Sequence, residues 1–153
     1  MNLVKGDKAP EFELKDGQGT PHKLSDYTGQ TFVLYFYPKD NTPGCTTEAC
    51  AFRDSYQDFK DAGVEVIGVS PDSESSHSKF SKKFDLPFTL LSDPDHKVCD
   101  DFGVWGPKKM YGREYEGVFR TTFVIGPEGK IKRVFEKVKP SDHVEEVLAA
   151  VRE

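Results

Sequence analysis

Thr31-Phe32-Val33-Leu34-Tyr35-Phe36-Tyr37-Pro38-Lys39-Asp40-Asn41-Thr42-Pro43-Gly44-Cys45-Thr46-Thr47-Glu48-Ala49-Cys50 contains a β-to-α transition and two of the three cysteines of the chain. Residues 31–37 are an almost unbroken β-branched and aromatic run, the pattern of a strand buried on both faces, and Pro38 ends it. From there apolar or small residues recur at Cys45, Ala49, Phe52, Tyr56 and Phe59. These steps of four, three, four and three trace one face of an α-helix, with Gly63 as its expected stop. Cys50 falls roughly 100° round from Ala49, on a polar flank with Arg53, Asp54 and Gln57. A cysteine in the first turn of a helix faces unpaired backbone N–H groups and a partial positive charge, which favour thiolate over thiol. Cys45 is therefore the candidate nucleophile.

Working outward, residues 64–70 read as the next strand, and a strand–helix–strand of this length implies a right-handed parallel crossover. Pro71 and Asp72 open a second helix to about residue 84, with its serines and lysines on the solvated face. A short strand at 88–91 and a short helix at 95–102 follow, and residues 103–117 read as a long loop carrying Trp105. Residues 119–125 and 131–138 flank Gly126-Pro127-Glu128-Gly129, an antiparallel hairpin signal. A last helix starts at Pro140-Ser141-Asp142, with Val144, Val147, Leu148 and Val151 on one side. Upstream, residues 11–14 and 22–24 flank Asp16-Gly17-Gln18-Gly19, a short hairpin expected to cover an edge or end of the main sheet. This order is the thioredoxin-like α/β pattern, a mixed central β-sheet flanked by helices, with an N-terminal β-hairpin extension. A length of 153 residues fits a single domain over the whole chain.

A formal net charge of -5 argues against a nucleic-acid surface, and the pairs Lys82-Lys83 and Lys108-Lys109 read as solvated surface lysines. The N-terminal residues Met1 to Asp7 have no apolar signal region, and no stretch is long enough to span a membrane, so a soluble, cytoplasmic protein is expected. Three cysteines are an odd number and suggest no disulfide framework. Cys99, beside Val98 and Phe102, reads as a buried structural thiol. His22, His77, His96 and His143 show no metal-ligand spacing, and surface positions account for them. Trp105 and the tyrosines at 111 and 115 could line a substrate or partner surface, or simply pack.

Lowering a thiol pKa by two from about 8.5 raises the thiolate fraction at neutral pH only ~25-fold. A fast reaction at Cys45 needs charge stabilised as it moves. The Gly44 and Cys45 N–H groups can donate to an incoming oxygen, and glycine permits close approach to the backbone. Arg120 could bring a fixed charge to the same end of the sheet, or be a surface ion-pair partner. Five residues along a helix separate two Cα atoms by roughly 8.6 Å, beyond the ~7 Å a disulfide tolerates. Cys45 and Cys50 therefore cannot bond while the helix is intact.

Four features now converge: Pro38-x-x-x-Thr42-x-x-Cys45, Cys50 five residues on, Gly103-Val104-Trp105-Gly106, and Arg120-Thr121-Thr122-Phe123. Through them the whole chain resembles the atypical two-cysteine peroxiredoxins of the peroxiredoxin Q, or bacterioferritin comigratory protein, group. The resemblance implies a thiol-dependent peroxidase that reduces hydrogen peroxide and organic hydroperoxides. Cys45 would be the peroxidatic cysteine and become a sulfenic acid; Cys50 would resolve it as an intramolecular disulfide. Thr42 would orient the peroxide, Pro38 would shield the site, Arg120 would stabilise the thiolate and transition state, and Glu48 would orient Arg120. The resemblance further implies recycling by thioredoxin, or glutaredoxin, with no metal or organic cofactor. An intramolecular resolving cysteine removes the need for a dimer, so a monomer is expected. Two other readings stay open: a thiol–disulfide oxidoreductase, disfavoured by the lack of Cys-x-x-Cys, and a holdase or metal-binding module using Cys45 and Cys50.

Overall fold

The computed structural model describes residues 3–136, 138–140 and 142–152, with Met110 described by its backbone alone. Met1 and Asn2 of the expected leaderless N-terminus, Lys137 of the expected hairpin and Ser141 of the expected last-helix start lie outside the described residues.

In chain order the elements are β1 (Glu13–Asp16), β2 (Pro21–Lys23), a 3-10 turn (Leu24–Tyr27), β3 (Phe32–Phe36), α1 (Pro43–Asp61), β4 (Glu65–Ser70), α2 (Glu74–Phe84), β5 (Thr89–Ser92), α3 (Lys97–Asp101), β6 (Trp105–Met110), β7 (Arg113–Val118), β8 (Thr121–Ile125), β9 (Ile131–Glu136) and α4 (His143–Val151). Seven strands form one sheet in the order β2-β1-β5-β4-β3-β8-β9. Strands β3, β4 and β5 run parallel, while β8 is antiparallel to β3 and β9 to β8. This is the expected thioredoxin-like mixed sheet. The N-terminal hairpin extends one edge of it, β1 pairing antiparallel with β5 through Lys15↔Ser92 and Asp16↔Leu91.

Strand β3 lies inside this sheet with all five residues buried, so its side chains alternate between two cores. Phe32, Leu34 and Phe36 pack with Ile67, Val69, Phe102 and Phe123 on one face. Val33, Tyr35 and Tyr37 pack with Cys45, Phe52, Phe59 and Val147 on the other. Burying each such aromatic side chain contributes about 1.5–3 kcal/mol. Helix α1 lays its expected stripe on that second face, with Cys45, Ala49, Phe52 and Phe59 buried. It stops where Gly63 takes a left-handed φ of 75° and the Val64 N–H bonds back to the Phe59 carbonyl.

The expected long loop over residues 103–117 is instead a two-stranded antiparallel ribbon, β6 against β7, in register from Trp105↔Val118 to Met110↔Arg113. Tyr111 and Gly112, at φ 52° and 78°, make its two-residue turn. Its strands leave much of their length exposed and contain Pro107, so they lack the apolar alternation that marks a half-buried strand. Smaller shifts occur at element ends. The second helix starts at Glu74 because Ser73 caps it by accepting the Ser76 N–H, the short helix spans only Lys97–Asp101, and the strand expected from residue 119 begins at Thr121. Among the described residues no helix is long and apolar enough to cross a membrane.

Candidate active site

Pro43 opens α1, Thr42 is its N-cap in extended conformation, and Cys45 therefore lies in the first turn. Thr42 does not cap the helix with its side chain; its hydroxyl donates instead to the Lys39 carbonyl at 2.9 Å. The Gly44 and Cys45 N–H groups, which have no intrahelical acceptor, are thus left without a side-chain cap. Pro38 is half-buried between β3 and this turn.

Register brings the arginine in. In the antiparallel pairing of β3 with β8, Phe36 faces Thr121, so Arg120 arrives at the end of β3 where α1 begins. Its Nη2 donates to Cys45 Sγ at 2.9 Å and its Nη1 to Glu48 Oε1 at 3.0 Å. Cys45 is 1% exposed and Glu48, nearly one helical turn further on, is 0% exposed. Of the two possibilities for Arg120, the surface ion pair is therefore set aside: its partner is buried and its fork bridges carboxylate and sulfur. A Cβ on Gly44 would lie 2.9 Å from Arg120 Nη2, so this glycine admits the guanidinium to the helix start.

Three side chains near this centre depart from expectation. His143 is not at the surface: it is 3% exposed, its Nε2 lies 3.0 Å from Glu48 Oε2, and its Nδ1 bonds to the Lys139 carbonyl at 3.2 Å. Lys108 is not a free surface lysine; its Nζ donates to the Val118 carbonyl at 2.8 Å. Burial, and then the neighbouring charge of Arg120, lower its pKa. The hydroxyl of buried Tyr35 has no hydrogen-bond partner among the described residues. Burial first, and then the nearby Glu48 and Cys45 charges, hold its phenol well above the usual range.

His77 is likewise buried rather than exposed. Its Nδ1 meets Asp40 Oδ2 at 2.7 Å and its Nε2 donates to the Leu91 carbonyl at 2.8 Å. Asp40 also accepts from the Tyr37 and Ser76 hydroxyls, while its own N–H donates to Asp72 Oδ2 at 2.8 Å. These bonds anchor the loop between β3 and α1 to α2 and β5. Asp40, Asp72 and His77 are close enough to hold a metal ion, a grouping that chain spacing could not show because it spans three elements. Each of these side chains is already hydrogen-bonded within the protein. Helical spacing marks both histidines as inward: His77 precedes Phe80 by three residues and His143 precedes Val147 by four, which puts each on the apolar face of its helix.

All three cysteines are free thiols, and α1 runs unbroken through Cys45 and the half-buried Cys50. Cys99 lies in the opposite core, 0% exposed, its thiol pKa raised by burial and by the adjacent Asp93 carboxylate.

Residues 5–134 match the AhpC/TSA family. Over 100% of its length the chain is 52% identical to peroxiredoxin Bcp of Bacillus subtilis, covering 98% of that protein. It is similar in structure to a Cys-to-Ser mutant of Xylella fastidiosa PrxQ, with a TM-score of 0.93, 40% identity, and coverage of 99% of this chain and 97% of that one. It is also similar to the Xanthomonas campestris bacterioferritin comigratory protein, described for its alkyl peroxide reduction activity, with a TM-score of 0.87, 42% identity, and coverage of 92% and 90%.

Proposed function

Since the chain belongs to the AhpC/TSA family and, within it, to the Bcp and peroxiredoxin Q group, we propose that it reduces hydroperoxides through a Cys45 sulfenic acid and an intramolecular Cys45–Cys50 disulfide. It is an enzyme, a peroxidase. The observation that carries the assignment of Cys45 is its buried sulfur in the first turn of α1, 2.9 Å from an Arg120 nitrogen whose partner nitrogen is held by Glu48.

The Cys45 thiolate attacks one oxygen of the peroxide; the S–O bond forms, the O–O bond breaks, and the other oxygen leaves as alcohol or water after taking a proton. Negative charge moves from sulfur onto oxygen, and Arg120 together with the uncapped Gly44 and Cys45 N–H groups lies where it can be stabilised. Thr42, its hydroxyl hydrogen already engaged by the Lys39 carbonyl, presents lone pairs that accept the peroxide O–H. Pro38 limits water at the sulfur. The Cys50 thiolate then attacks the sulfenic sulfur, an S–S bond forms, the S–O bond breaks, and the hydroxyl leaves as water with the proton given up when the Cys50 thiol ionised. This step requires the first turns of α1 to unwind, because the intact helix keeps the two cysteines apart. Two electrons from a dithiol reductant of the thioredoxin type reopen the disulfide. The cycle is complete within one chain, which agrees with a monomer. Organic hydroperoxides are included among the substrates on the strength of the Xanthomonas relative.

The test is steady-state peroxide consumption with a thioredoxin system, together with mass spectrometry after stoichiometric peroxide. A Cys45–Cys50 disulfide is expected in the wild type, and neither activity nor disulfide in Cys45→Ser. Continued turnover by Cys45→Ser would sink the proposal.

A further inference from the structure

Arg120 has two faces. One meets Cys45 Sγ, and the other meets the fully buried Glu48 carboxylate at 3.0 Å. A carboxylate this close cancels the guanidinium charge, so that a Cys45–Arg120–Glu48 unit with sulfur ionised would carry one net negative charge in a desolvated place. His143 changes that balance. Its Nδ1 faces the Lys139 carbonyl at 3.2 Å, an acceptor only, so Nδ1 carries a hydrogen. Its Nε2 stands 3.0 Å from Glu48 Oε2, an oxygen that is buried and has no hydrogen bond among the described residues. The approach is that of an ion pair rather than an aligned hydrogen bond. Even off its lone-pair axis, an unprotonated Nε2 would set a partial negative charge 3.0 Å from a carboxylate oxygen, whereas an imidazolium sets a positive charge there.

Resting on the assignment of Cys45 as the reacting sulfur, we infer that His143 is a positioning residue of the peroxidase site: doubly protonated, it balances Glu48 so that Arg120 keeps its positive charge for the Cys45 sulfur. Thiolate, guanidinium, carboxylate and imidazolium, the four groups in direct contact, then sum to zero, while Lys108 acts on Cys45 and Arg120 through space from its bond to the Val118 carbonyl. The other groups facing the ring are consistent with a cation. The Thr122 hydroxyl of β8, 3.3 Å from Nε2, accepts from an Nε2–H as readily as it would donate to a bare nitrogen, and the Phe52 ring of α1 packs against the imidazole at 5.5 Å, edge to face. The N-terminus of α4 opposes a cation, but the first turn also carries Glu145 and Glu146, and Glu48 stands 3.0 Å from the ring.

The experiment is nitrogen NMR of histidine-labelled wild-type protein at neutral pH, with kinetics of His143→Gln, Glu48→Gln and the double variant. Both His143 ring nitrogens should be protonated in the wild type. His143→Gln should keep its fold by circular dichroism, lose thiolate ultraviolet absorbance and lower kcat/KM for peroxide by about tenfold, less than the loss of a direct donor. Once Glu48→Gln has removed the carboxylate, adding His143→Gln should cost less than about twofold, the non-additivity expected of one coupled unit. A neutral wild-type ring overturns the inference even if the variant fails to fold. So does a folded His143→Gln with unchanged thiolate absorbance, or additive losses in the double variant. Absence of peroxidase activity in the wild type would instead remove the Cys45 assignment, an outcome distinct from any of these.

Discussion

At the residue scale, Gly44 sets how close the Arg120 guanidinium comes to the start of α1. Its backbone needs no unusual φ; what matters is that a Cβ there would stand 2.9 Å from Nη2 and 3.6 Å from the guanidinium carbon. Gly44→Ala is therefore expected to push the fork off Cys45 Sγ and lower the peroxide rate by about 10²-fold, the scale of losing one charge-stabilising donor. Folding stability should change by no more than ~1 kcal/mol, because the helix gain of alanine over glycine and the contact with a movable side-chain end oppose each other. Stopped-flow peroxide oxidation read beside a thermal melt separates the two effects. Sequence alone suggested that glycine here permits close approach to the backbone, and the structure shows a side chain of the protein making that approach.

At the scale of elements, the loop between β3 and α1 depends on His77, which ties Asp40 to the Leu91 carbonyl from the buried face of α2. His77→Ala removes two buried hydrogen bonds, one of them to Asp40, and leaves a void, so it should destabilise by about 2–5 kcal/mol in urea unfolding. A change below ~1 kcal/mol would show that the Tyr37 and Ser76 hydroxyls suffice to hold Asp40. What was legible beforehand was what local periodicity encodes: the doubly buried β3, the Cys45–Phe59 stripe of α1 and the β8–β9 hairpin. The β6–β7 ribbon was not, since exposed strands containing Pro107 show no alternation. The placement of Arg120 was open for a different reason. It follows from the register Phe36↔Thr121, a long-range pairing that no window around residue 120 contains. His77 and His143 were misread because an isolated histidine is polar by type, although their helical spacing to Phe80 and Val147 marked the inward face.

At the scale of the whole molecule, acids with raised pKa values sit in both cores. The Cys99 thiol lies on one side of the sheet and the Tyr35 and Tyr37 phenols on the other, each held up chiefly by burial. The folded state keeps these protons to higher pH than the unfolded chain, whose thiols and phenols release theirs near about 8.5 and 10. Their contribution to stability is complete below those values and falls as pH rises beyond them. The urea midpoint should therefore drop between about pH 8 and 10.5, less steeply in Cys99→Ala over the lower part of that range. A parallel slope in the variant would mean that Cys99 takes no part in the alkaline loss. Both ends of the reactive segment are held in place. Asp40 is bonded into α2 upstream, and Phe52 is fully buried downstream, so unwinding that begins at Cys45 has fixed banks on either side. On the proposed cycle the freed stretch is only about ten residues, a length that closes in ~10–100 ns, with helix growth adding about nanoseconds per residue. Rewinding is then far faster than a typical turnover, so on this cycle the helix is whole again before the next peroxide arrives.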